Sequence, residues 1–156
     1  MMGNRVEVLR KYIDEIILNM IDVEERRCAY MHLYGVSQFC ALIALKREEN
    51  SELATMAGML HDIYSYATMD SNNHAHKGAT MAKEILAKLN LTSDDESKLI
   101  CDAIYTHSDK NLIHSNFNEV LKDADVLQHC LYNTMLEIKP HEKERYEKLK
   151  REFGIL

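Results

Sequence analysis

Five glycines and a single proline are all the punctuation in 156 residues, and between them apolar side chains return every three or four positions. So few turn-formers cannot supply the many tight reversals of a β-sandwich or barrel. The period is helical nearly throughout, with no strand alternation. Val6, Leu9, Ile13, Ile16, Ile17 and Met20 form one stripe, and Cys28, His32, Val36, Phe39, Cys40 and Ile43 form a second, in a helix from about Glu24 to Lys46. Ser51 reads as the N-cap of a short third helix ending near Leu60. Tyr64 to Asn73 carries no apolar period and reads as a loop, followed by a helix to about Leu89. Ser93 and Glu96 have the spacing of a capping box and open a fifth helix. A sixth spans roughly Glu119 to Leu136, and Pro140 suits the first turn of a last one, whose mixed charges predict a solvated face. The expectation is a single all-α domain of about six or seven helices.

Composition narrows the function. With 46% hydrophobic residues the chain can bury a core, and a net charge of −6 argues against a general nucleic-acid binder or a polybasic membrane anchor. No uninterrupted apolar run approaches a membrane span or a signal sequence. The four cysteines (Cys28, Cys40, Cys101, Cys130) lack any CxxC spacing and read as reduced thiols, so the expected compartment is the cytoplasm.

Placement of the histidines is more telling than their number. His32 lies on a core stripe. His107 follows Ile100, Ala103 and Ile104 on the same face, and His61-Asp62 ends an apolar helix. Asp125 follows Leu121 by one turn, where a solvent-facing carboxylate is not expected. His74 and His76 are about 200° apart on a helix, so one of them at most faces a given point. His74 shares the apolar row of Gly78, Met81, Ile85 and Leu89 and is preferred, with His76 as the alternative. Four imidazoles and two carboxylates converging in a helical core form the N/O set that divalent transition metals favour, and an ion offsets the cost of burying carboxylates.

These residues resemble the HD superfamily of metal-dependent phosphohydrolases, named for an adjacent His-Asp pair. The resemblance runs through His32 and Val36, MLHDI at Met59 to Ile63, His74 with Gly78-Ala79, AIYTHS ending at Ser108, and LKDADVL around Asp125, about residues 28–132. It implies that His32, His61, Asp62 and Asp125 bind one metal ion. His74 and His107 match the subset that holds two ions and is similar to hydrolases of diadenosine tetraphosphate. The segment YTHSDK departs from that subset's pattern after His107.

The implied activity is hydrolysis of a nucleotide or other small phosphoester by a metal-activated water. Asp62 is the central catalytic group, and one or two ions of Fe, Mn, Zn, Ni or Co are the cofactor. A di-iron oxygenase, or a nucleotide-sensing module with a structural metal, remains open on the same residues. Lys110 and Lys122 are candidate substrate-binding groups, Lys77 is a third, and His129 reads equally as a core residue or as a group facing the substrate.

Overall fold

The computed structural model describes residues 4–155. Helix α1 (Arg5–Leu18) starts at Asn4, whose side chain accepts from the Glu7 amide. α2 (Val23–Lys46) starts at Asp22, with Glu24 and Glu25 in its first turn and Lys46 in its last, the signs its dipole favours. α3 (Ser51–Leu60) is apolar nearly all round, and its residues from Leu53 to Leu60 are buried except Thr55. It lies in the middle of the fold against α2, and touches α1, α6 (Asp94–Thr106) and α7 (Asn116–Leu131) as well. α5 (His74–Leu89) pairs with α6, and α8 (Pro140–Glu152) lies on α7. No strand occurs among the described residues.

The all-α expectation therefore holds, with seven helices of ten or more residues among the described residues. An eighth, α4, is six residues long (Ile63–Thr68) and corrects the reading of Tyr64 to Asn73 as a loop. Barely more than a turn and a half is too short to show a period. Tertiary contacts stabilise it instead: Ile63 is fully buried, and Asp70 just beyond accepts from Tyr64 Oη and Lys77 Nζ.

Other boundaries move for local reasons. Asn50, not Ser51, caps α3, accepting from Leu53 N at 3.0 Å. α7 starts at Asn116 because Ser115 caps it, and it stops at Leu131. The capping box at Ser93 forms as expected.

Two expectations change more. α2 is, among the described helices, long and apolar enough to cross a membrane by length and composition, although here it packs on α3 and α7. α8 is not simply a solvated face. Glu142 and Leu149 are buried, and Arg145 reaches Glu119, Asp123 and the carbonyl of Lys110. The four cysteines are free, and Cys40 and Cys130 are buried.

Candidate metal centre

Side chains from five places in the fold converge on one point. His32 is mid-way along α2, His61 and Asp62 stand at the junction of α3 and α4, His74 opens α5, His107 closes α6, and Asp125 lies within α7. Two of these placements come directly from helix ends. The last carbonyls of a helix lack intrahelical donors. His61 Nδ1 donates to the Gly58 carbonyl at 2.7 Å and His107 Nδ1 to the Ile104 carbonyl at 2.6 Å, each three residues back.

His74 Nδ1 makes the same kind of bond to the Ser71 carbonyl at 3.2 Å, and His32 Nδ1 donates to Gln128 Oε1 at 2.7 Å. A carbonyl oxygen only accepts, so all four rings carry their proton on Nδ1. The Nε2 lone pairs then face inward. They meet in pairs: His32 and His61 have Nε2 atoms 3.0 Å apart, and His74 and His107 have theirs 3.3 Å apart.

Asp62 lies between the pairs. Its Oδ2 is 3.2 Å from His32 Nε2 and 3.4 Å from His61 Nε2, while its Oδ1 is 3.2 Å from His107 and 3.5 Å from His74. Asp125 Oδ1 adds to the first pair at 3.6 Å from His32 and 3.7 Å from His61. Asp62 Oδ1 and Asp125 Oδ1 are buried and find no hydrogen-bond partner among the described residues. Lone pairs facing one another around orphaned carboxylate oxygens are mutually repulsive, and a cation between them relieves this. The donor set thus fits divalent transition metals, and a metal-capable group forms on each side of Asp62.

Both carboxylates are held in their ionised form. Burial pushes the Asp62 carboxyl up, but His61, His107 and His32 bring it well below the ordinary carboxylate range. Burial acts likewise on Asp125, and Lys110 with His61 and His129 overcomes it. His61, wholly enclosed, is pushed down by burial and so favours its neutral, metal-binding form. Burial also lowers His32, but Asp62 and Asp125 outweigh it and leave that ring above its ordinary value.

The remaining candidates divide. His74 joins the cluster, whereas His76 stacks on the Tyr105 ring at 3.8 Å and faces away. Lys110 is at the cluster, but its ammonium is spent on Asp125 Oδ2 (2.5 Å) and the His107 carbonyl (2.8 Å). Lys122 is a correction. It is fully buried, bonded to the Leu112 carbonyl, His114 Nδ1 and Glu119, and braces the loop before α7 rather than facing a substrate. Lys77 is paired with Asp70.

Three contributors had little or no sequence signal. Gln128 and Tyr66 border His32, and Ser108 Oγ lies 3.1 Å from His74 Nε2. Only Ser108 sat inside a recognisable motif.

The HD domain family matches residues 29–130, a span that holds every one of these donors. The chain belongs to the HD domain family. Among solved structures, this HD domain is similar to a predicted HD superfamily hydrolase from an uncultured Thermotogales bacterium, known from its crystal structure. The two share 18% identity and a TM-score of 0.61, over 92% of this chain and 88% of the other. At that identity the likeness is one of fold. No curated protein matches the sequence.

Proposed function

We propose that this HD domain is a metal-dependent phosphohydrolase acting on a small phosphoester, a nucleotide foremost. The observation that carries the reading is the division of labour at Asp62: each of its two oxygens faces a separate pair of inward-pointing imidazole nitrogens. HD domains bind divalent metals, and His32, His61, Asp62 and Asp125 would hold one ion while Asp62, His74 and His107 hold a second. Ions there would polarise phosphoryl oxygens and acidify water.

The chain's own groups set the rest. The Nδ1 bonds to Gly58, Ile104, Ser71 and Gln128 lock ring orientation, so little reorganises on binding. His61, His107 and Asp125 are closed to solvent, whereas Asp62 and His74 keep 21% and 31% of their side chains exposed. The opening includes the His74 side, where the Ser108 hydroxyl donates to His74 Nε2 at 3.1 Å. Lys110 neutralises Asp125 and leaves little positive charge at the mouth.

The test is metal content together with anaerobic phosphate release from a panel of nucleoside monophosphates, sugar phosphates and dinucleoside polyphosphates. Wild type purified without chelator should carry about two ions, His107→Ala about one, and Asp62→Ala none that survives dialysis. Release of phosphate without O2 separates hydrolysis from oxygenase chemistry. A well-folded wild type that takes up no transition metal, or that turns over only with O2, would overturn the reading.

A further inference from the structure

We infer that His129 is a further donor to the centre, oriented by Glu142 of the C-terminal helix, and that it makes the His32 side the tighter of the two metal-binding halves. The inference rests on the reading of the cluster as a metal centre.

His129 follows Asp125 by one turn of α7, and its ring stacks on that of His32 with centroids 5.2 Å apart and planes 10° from parallel. Its Nδ1 lies 2.7 Å from Glu142 Oε1, and Glu142 is 2% exposed. An ionised carboxylate only accepts, so the proton of that bond is on Nδ1. The Nε2 atom faces Asp125 Oδ1 at 3.4 Å, one of the two orphaned carboxylate oxygens. His129 thus repeats the pattern of the other four rings, with Nδ1 tied to an oxygen and Nε2 turned inward.

The 3.4 Å separation distinguishes a ligand from a plain charge relay. A charge-assisted N–H···O bond between His129 and Asp125 would close to about 2.7–2.9 Å. Two donors each about 2.0–2.2 Å from a shared ion stand about 3–3.5 Å apart. One ligand atom each of His32, Asp125 and His129 lies within 4.8 Å of the others, as in the other groups, and Asp125 Oδ1 is 3.6 Å from His32 Nε2 and 3.4 Å from His129 Nε2.

His129 groups with His32 and Asp125, beside the group of His32, His61 and Asp62, whereas the other side has Asp62, His74 and His107. Five donors against three predict one tightly held ion and one exchangeable ion with open positions. Glu142 lies beyond the span matched by the family, so α8 adds this support from outside the shared domain. A carboxylate behind a ligating imidazole fixes its tautomer and strengthens it as a donor.

The experiment is titration of the metal-stripped full-length protein with Co2+, following the visible absorption bands and obtaining affinities by chelator competition. Wild type should bind in a tight and a weak step. His129→Ala should weaken the tight step by at least about 100-fold and alter its absorption band, leaving the weak step unchanged. Glu142→Gln should weaken the same step by about 10–100-fold. Melting of the metal-free forms separates this from loss of fold. Should His129→Ala not fold, Glu142→Gln decides the matter. Both variants binding Co2+ with wild-type affinity and spectrum would overturn the inference while leaving the metal centre standing. A wild type that binds no Co2+ would remove both.

Discussion

An imidazole offers a lone pair at one nitrogen only, so the partner of its other nitrogen decides what it can do. For the four rings around Asp62 the partners are backbone or amide oxygens, and Asp62 is the group that those four inward nitrogens share. Asp62→Asn keeps the shape but turns one acceptor into a donor. Phosphate release should fall by more than about 100-fold, with loss of bound metal by elemental analysis and an unchanged helical spectrum.

Away from the centre, Glu119 accepts from the His114 amide and pairs with Arg145 and Lys122. Burial raises its carboxyl, and those partners bring it below its ordinary value. A depressed folded value means the stabilisation is complete above the unfolded value of about 4.3 and is lost as pH falls through the folded one. Glu119→Gln should therefore be less stable than wild type at pH 7. The gap in urea midpoint should close as pH falls below the ordinary glutamate range.

Between elements, the closest approach that matters is α3 on α2. A Cβ at Gly58 would stand 2.6 Å from Ser37 Cα and 2.9 Å from Ser37 N, backbone atoms that cannot swing aside. The same glycine's carbonyl anchors His61. Gly58→Ala should cost about 1–3 kcal/mol in urea unfolding and weaken metal binding with it, because separating α3 from α2 pulls His61 from His32.

Arg145 plays the corresponding part for α8. Its guanidinium joins Glu119, Asp123 and the Lys110 carbonyl, so Arg145→Ala should cost about 3 kcal/mol by the same measurement. Capping was readable where it is local, as at Ser93 and Glu96. It slipped by one residue at Asn50, because Asn and Ser are nearly equivalent caps.

For the whole molecule, ions that bind only the folded state add to its stability. At a thousand-fold excess over the dissociation constant one ion contributes about 4 kcal/mol, which for a chain this size raises Tm by about 8–16 °C. Chelator-treated protein should show that rise when metal is restored, and Asp62→Ala should not.

The helical class, most helix spans and the convergence of His32, His61, Asp62, His74, His107 and Asp125 were legible in the sequence, since periodicity reports which face of a helix is buried. What periodicity does not report is where a long polar side chain ends. Lys110 and Lys122 sit on neighbouring segments with similar surroundings in sequence. Packing directs one ammonium to Asp125 and the other to the Leu112 carbonyl. Glu142 looked like one more charge on a solvated helix until α8 was laid on α7, which buried it against His129. A helical stripe is a local property of the chain, while the partner of a buried charge is chosen by elements far away in sequence, and only the tertiary structure brings them together.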